Sequence, residues 1–397
     1  MITKHFSTLG RLAASGSVIF ASALFATACM ASTLGMAAHS QSRNAHTDQT
    51  VAGTKGATPD PSSSTELPPN WPWRGVTMNN DAQGRAAQPS DIDAFVNAFG
   101  INSVHLYMNL KQVAKRAGLT DSQAWVQSLQ WLDAMVAECK KDHVIAIVHL
   151  RYFPAPGGGY YDQHSPAFWN NPAAVNEIYT WTAALVKHLQ SYSNEEVAFD
   201  ILSEPTTLTS FGPEQPPEWV NIQRRIVETI RANDPGRWVV VKPGPWGEPP
   251  GYADFSPLAF SRLVYSVHIY LPVQYTLQGV NGRPVGLRYP GMIGRKYWDK
   301  QALEKLVSPV VSFQNRYHVP IWVGEFSAVR WAPGSDQYLG DLVSIFDSQG
   351  WGWSYFSVGA WNGWDPRYDA SYRNAKEVWY KSPRWHTLQA LFGENGN

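Results

Sequence analysis

From residue 71 onward the chain alternates between two hydrophobic patterns. Short, nearly continuous apolar runs occupy 74–79, 101–109, 144–150, 197–202, 238–241, 263–269, 321–324 and 351–358. A run that is apolar throughout, rather than at every second position, is the mark of a strand buried on both faces of a parallel sheet. Between most of these runs the apolar residues recur at helical spacing, over 91–99, 120–138, 172–190, 217–232, 299–317 and 336–348. Ser90 is placed to cap the first of these helices and Thr120 the second. Eight strands alternating with helices predict an α/β chain folded as one (β/α)8 TIM barrel. A doubly wound sheet is the competing arrangement, but no Gly-x-Gly-x-x-Gly follows the first strand to support a nucleotide site.

Loop length gives the barrel a direction. The connections after strands are long, at 151–171, 205–216, 244–261 and 271–298, and the returns at 140–143 and 233–237 are short. In a barrel the long set lies at the C-terminal face, where active sites are built.

The first 70 residues follow neither pattern. Lys4, His5 and Arg11 flank or precede a weakly apolar run over 12–28 that ends in Ala26-Thr27-Ala28. This is the form of an export signal, so 1–28 is expected to be a signal peptide and the protein secreted or periplasmic. The run is too short and too broken by Gly and Ser to span a bilayer. Cys29, directly after the cleavage pattern, offers a second route as a lipoprotein with a lipid anchor. Ala26 stands where such sites usually carry Leu, which ranks acylation below simple secretion. Residues 29–70, rich in Ser, Thr, Pro and Gly, are expected to be a disordered linker, leaving 71–397 as the barrel domain.

Composition narrows the chemistry. The formal net charge is zero, and no basic stripe suggests a nucleic-acid partner. Cys139, on a predicted helix, has no partner in the barrel, so stability must come from a large core. The 18 Trp and 18 Tyr suit a protein that stacks the flat apolar faces of sugar rings. Neither a His-x-His on the first strand nor a His-Glu-x-x-His helix is present, so no metal and no cofactor is expected.

Two carboxylates stand out. Glu204, in Asp200-Ile201-Leu202-Ser203-Glu204-Pro205, follows the fourth strand, and Glu325, in Trp322-Val323-Gly324-Glu325-Phe326, ends the seventh. In a closed barrel these strands lie across from each other, so both carboxyls can face one cleft. A carboxylic acid beside a carboxylate is what cleavage of a glycosidic bond requires. On the sixth strand, His268 and Tyr270 share a face through their spacing of two. His149 ends the third strand and reaches the same rim.

With these motifs the chain resembles glycoside hydrolase family 5, the cellulase-type retaining β-glycosidases, over most of 71–392. The resemblance implies Glu204 as acid/base, from the Glu-Pro pair after strand four, and Glu325 as nucleophile, from the apolar run–Glu–aromatic motif. It also implies His149, His268 and Tyr270 as substrate-side groups of the cleft. Three positions depart from the family pattern. Ser203 replaces the Asn that binds the sugar 2-hydroxyl, and His105 stands for the arginine of strand two. Phe356 takes the place of the platform Trp after strand eight, with Trp361 and Trp364 nearby. The expectation is an O-glycosyl hydrolase resembling an endo-β-1,4-glucanase, acting by double displacement as a monomer on a polysaccharide or oligosaccharide. A β-mannanase, a bacterial exopolysaccharide glycosidase and a carbohydrate-binding barrel with weakened catalysis are the alternatives. Trp169, Trp246, Tyr252, Tyr160, Tyr161, Trp361 and Trp364, all on rim loops, are expected to line an extended groove.

Overall fold

A computed structural model describes residues 66–80, 85–156 and 158–393. The expected export signal, Cys29 and most of the linker lie outside the described residues. Eight parallel strands close a barrel. They are β1 (Arg74–Asn79), β2 (Ser103–Asn109), β3 (Ile145–Arg151), β4 (Val197–Asp200), β5 (Val239–Val241), β6 (Leu263–Ile269), β7 (Ile321–Phe326) and β8 (Gly352–Val358). Each pairs with its sequence neighbours, and β8 closes on β1. Two short hairpins sit on the long loops, one pairing Thr207–Thr209 with Gly212–Glu214 and the other Gly291–Ile293 with Lys296–Trp298.

Strand alternation divides the core in two. One face of each strand packs outward on the helices, as Val104, Leu106, Met108, Val148 and Phe199 do. The other face fills the barrel. Trp73, Ile145, Ile147, Ala198, Trp238, Val240, Val264 and Trp322 form a separate apolar plug there. Burial on both faces is why these strands read as unbroken apolar runs. One step further toward the C-terminal ends, the interior turns polar, with Thr77, His105, Asp200, Lys242, Ser266 and Ser354 all buried. The catalytic face lies above this layer. At Gly75 of β1, an added Cβ would lie 1.9 Å from the Ser103 carbonyl oxygen, so the β1–β2 contact requires glycine.

Several boundaries differ from expectation. Strand β4 ends at Asp200 rather than 202: Ile201 still gives its backbone N–H to the Val240 carbonyl at 3.3 Å, and Leu202–Glu204 then form the active-site turn. The first helix spans Pro89–Phe99 and is capped by Gln88, not Ser90. Pro89 can take the first helical position because it has no N–H to leave unsatisfied, and Asp91 accepts from the Gln88 backbone N–H at 2.7 Å. Thr120 does cap the helix Asp121–Lys141, accepting from the Gln123 backbone N–H at 3.3 Å. Helices Leu110–Ala117 and Pro383–Gly393 were not expected. Among the described residues, no helix is long and apolar enough to cross a membrane.

Candidate active site

Glu325 reaches the cleft through an irregularity in β7. Trp322 points into the barrel, so strict alternation would turn Glu325 toward the helices with Val323. The β6–β7 register instead shifts between Val323 and Glu325: Val323 pairs with Val267, and Glu325 pairs with the next residue, His268. Gly324 is the extra residue of this bulge, and it re-aims Glu325 inward. A Cβ at Gly324 would meet Ser266 Oγ at 2.5 Å and His268 Nε2 at 3.3 Å, so the bulge is closed to larger side chains.

Glu204 arrives by a different device. Its backbone is left-handed, with φ of 51°, immediately before Pro205. A non-glycine residue held there costs about 1–2 kcal/mol, and such strain persists where its surroundings hold it in place. One carboxyl oxygen of Glu204, one of Glu325 and a ring nitrogen of His268 all lie within 4.8 Å of one another. His268 Nδ1 stands between the acids, 3.4 Å from Glu204 Oε1 and 3.6 Å from Glu325 Oε1. Such a trio could ligate a cation, but both oxygens of Glu325 already accept from hydroxyls.

Those hydroxyls come from strand β2 and from the segments that follow β4 and β6. Tyr270 Oη donates to Glu325 Oε2 at 2.9 Å, while Tyr107 Oη bonds Oε1 and Ser203 Oγ lies 3.3 Å from that same oxygen. Burial, then the charge of Glu325, raises both phenols well above the ordinary tyrosine value, so each stays a neutral donor. Arg151, half-buried at the end of β3, adds positive charge. Burial opposes that charge, but Tyr152, Tyr107, Glu204 and Glu325 more than offset this and hold it protonated.

His105, the substrate-side candidate that stands for the strand-two arginine, lies below the cleft. It is fully buried one layer down, with Nε2 3.2 Å from Asp200 Oδ2 and Nδ1 3.5 Å from Thr77 Oγ1. Lys242 Nζ holds the other Asp200 oxygen at 2.6 Å. Desolvation would raise Asp200, but the Lys242 charge and the two histidines hold it well below the carboxylate range. His105 and His149 are both lowered, chiefly by burial, and so are neutral. His149 is nearly inaccessible; its Nδ1 faces the Asp200 carbonyl at 3.2 Å and its ring lies 4.4 Å from that of Tyr107. It therefore backs the cleft wall rather than lining it.

Phe356 is buried between Tyr107 and Tyr270, and Trp364 covers Tyr270 at 5.8 Å between ring centres. Trp361 packs on Trp364 at 5.1 Å, one ring further from the acids. The expected aromatic groove is corrected in part. Trp169, Trp246 and Tyr252 are buried under the loops, with Trp169 donating to the Thr206 carbonyl and Tyr252 to that of Ser266. Tyr160 and Tyr161 are half-buried. Phe211, at the tip of the hairpin that follows Glu204, is 90% exposed. Four further groups escaped the sequence reading: Tyr107, Arg151, the Lys242–Asp200 pair, and Glu248. Burial, then the Glu204 charge, pushes Glu248 up to about 7. A signal existed for Tyr107, which sits two residues after His105 on the same strand face, as Tyr270 does after His268.

Comparison with known proteins bears on the fold and the family. Endoglucanase C of Acetivibrio thermocellus is 20% identical over 262 residues, covering 57% of this chain and 72% of that protein. A hyperthermophilic endo-beta-1,4-glucanase solved in complex with substrate superposes with a TM-score of 0.62 at 16% identity, covering 80% of this chain and 96% of that one. Thermotoga maritima Cel5A, solved in complex with mannotriose, gives 0.61 at 17% identity, covering 81% and 97%. At these identities the structural likeness establishes the shared barrel. The family model for cellulase (glycosyl hydrolase family 5) matches residues 63–362, and the chain belongs to that family of O-glycosyl hydrolases.

Proposed function

We propose that this protein is a secreted endo-acting β-glucanase that cleaves with retention of anomeric configuration. The observation that carries the proposal is the spacing of the two acids, with carboxyl oxygens of Glu204 and Glu325 within 4.8 Å of each other. Inverting enzymes separate their carboxyls by about 6.5–9.5 Å to seat a water, whereas retaining ones hold them about 5 Å apart. Glu325, held by hydroxyl donors on both oxygens, attacks the anomeric carbon. Glu204, on the turn facing the cleft, gives its proton to the departing glycosidic oxygen. A glycosyl ester on Glu325 results. Glu204, now ionised, takes a proton from water as that water attacks the same carbon, which releases the sugar and restores both acids.

The exposed Phe211, at the tip of the hairpin that follows Glu204 in the chain, supports a polymeric substrate, since a flat apolar ring on a rim loop suits a sugar face. β-Mannan is the second reading, favoured by the mannotriose bound to the similar Thermotoga barrel. Glu325→Gln keeps the size of the side chain and removes its charge, so turnover should fall by at least about 10⁴-fold while glycan binding persists. Hydrolysis of defined β-glucans and mannans, with product anomers followed by NMR, tests both parts. Inverted product, or near-normal turnover by the variant, would overturn the proposal.

A further inference from the structure

Three oxygens meet here, Glu325 Oε1, Tyr107 Oη and Ser203 Oγ, and they share two protons, so their distances decide the direction of the bonds. Tyr107 Oη lies within bonding distance of Glu325 Oε1 and 2.8 Å from Ser203 Oγ. A carboxylate can only accept, so the single phenolic proton goes to Glu325. The one proton of Ser203 can then go to Glu325 Oε1 at 3.3 Å or to the Tyr107 oxygen at 2.8 Å, and the shorter contact favours Tyr107. A hydroxyl that accepts one hydrogen bond becomes a stronger donor in the next.

We propose that Ser203 and Tyr107 form a directed hydrogen-bond relay that positions Glu325 and holds its negative charge, doing with neutral hydroxyls what a cation at this strand would do. The relay rests on Glu325 as nucleophile and assigns Ser203 a task on the enzyme's own carboxylate rather than on a sugar hydroxyl.

The layer below keeps Tyr107 in place. Its ring stands edge-on to His105 at 4.7 Å and tilted against His149 at 4.4 Å. Both histidines face Asp200, one through the side chain and the other through the carbonyl, and Lys242 ties Asp200 down. Phe356 closes the remaining side at 5.8 Å. Every neighbour that sets the tyrosine's position is itself buried, so its hydroxyl has little freedom to leave Glu325.

The test is the pH dependence of kcat/KM on a chromogenic β-glycoside, for wild type, Tyr107→Phe, Ser203→Ala, Ser203→Thr and the Tyr107→Phe/Ser203→Ala double variant. The acidic limb reports protonation of the free enzyme's essential carboxylate. Loss of one hydrogen bond to a charged group should move it upward by about one pH unit in Tyr107→Phe. Ser203→Ala should move it the same way by less, and Ser203→Thr, which keeps the hydroxyl, should not move it. Because Ser203 acts through Tyr107, the double variant should match Tyr107→Phe alone. A general loosening of the fold would lower rates without moving the limb in this order. An unmoved limb in Tyr107→Phe, or additive shifts in the double variant, overturns the relay while leaving the nucleophile assignment intact. Turnover by Glu325→Gln would instead remove the nucleophile, and the relay with it.

Discussion

The ion pair beneath the active site gives the sharpest stability prediction. Lys242 Nζ and Asp200 Oδ1 are 2.6 Å apart and both side chains are fully buried. At an effective dielectric near 20, two charges across 2.6 Å attract by roughly 6 kcal/mol. Lys242→Met removes that attraction and also the cost of burying the ammonium, so the net loss is smaller. Stranding one buried partner typically costs about 3–5 kcal/mol, which is the expectation here. The remaining charge has two neighbours that can respond, His105 at 3.2 Å and His149 at 3.7 Å. After burial, the Lys242 charge is among the causes that keep both histidines neutral, so its removal frees them to take a proton and pair with Asp200. Both histidines are lowered in the folded state, so they cost stability as pH falls below their ordinary 6.5, and removing the Lys242 contribution reduces that cost in the variant. The deficit should therefore be larger at pH 8 than at pH 6. Urea unfolding followed by tryptophan fluorescence at both pH values measures it. Asp200→Asn in the Lys242→Met background should recover part of the loss, because it removes the stranded charge. A deficit below about 1 kcal/mol at pH 8, or a double variant no more stable than Lys242→Met, would refute the assignment of these two residues as one buried unit.

Two further outcomes follow from the same geometry. Glu248 is held near 7 against an ordinary 4.5, so the stability of its protonated form is present below 4.5 and lost as pH rises through 7. Glu248→Gln should therefore match wild type near pH 4.5 and exceed it by about 1–3 kcal/mol at pH 8, as read from thermal midpoints; an equal difference at both pH values would show that the carboxyl is not held protonated. Gly324→Ala places a methyl 2.5 Å from Ser266 Oγ and forces the bulge open. Displacing Glu325 by about 1 Å should lower kcat about 100-fold with the circular dichroism spectrum unchanged; wild-type kcat would mean that the bulge does not aim the nucleophile.

The barrel was legible in the sequence because its strands are buried on both faces and so appear as unbroken apolar runs. The boundaries that moved did so where a residue left the ladder for chemistry: β4 stops at Asp200 so that Glu204 can turn, and β7 continues through Glu325 by way of a bulge. Glu204, Glu325, His268 and Tyr270 were found from strand-end position and period-two spacing, and they meet in one cleft. The strand of His105 is legible in the sequence but its depth is not: it lies one layer below the acids, against Asp200. The loop aromatics misled for a related reason. A sequence reports that Trp169, Trp246 and Tyr252 lie on loops, but not which way their rings point, and all three turn inward to pack the loops onto the barrel.

What sequence could not show is pairing across strands. Asp200 and Lys242 are 42 residues apart, and each alone resembles an ordinary charge next to an apolar run. Tyr107, amid Leu106 and Met108, resembles core. Only the pairing of β2 with β3 and of β3 with β4 places a phenol over two neutral histidines and an ion pair. The physical consequence is a division of labour by depth. Full charges of opposite sign neutralise each other in the lower layer, where burial makes an unpaired one expensive. Neutral hydroxyls bond Glu325 in the layer above, with the positive charge of Arg151 in the same site. A cation pressed directly against that carboxylate would hold it ionised but would also blunt its attack. Hydroxyls fixed by a rigid layer beneath can hold the charge and still leave it able to react.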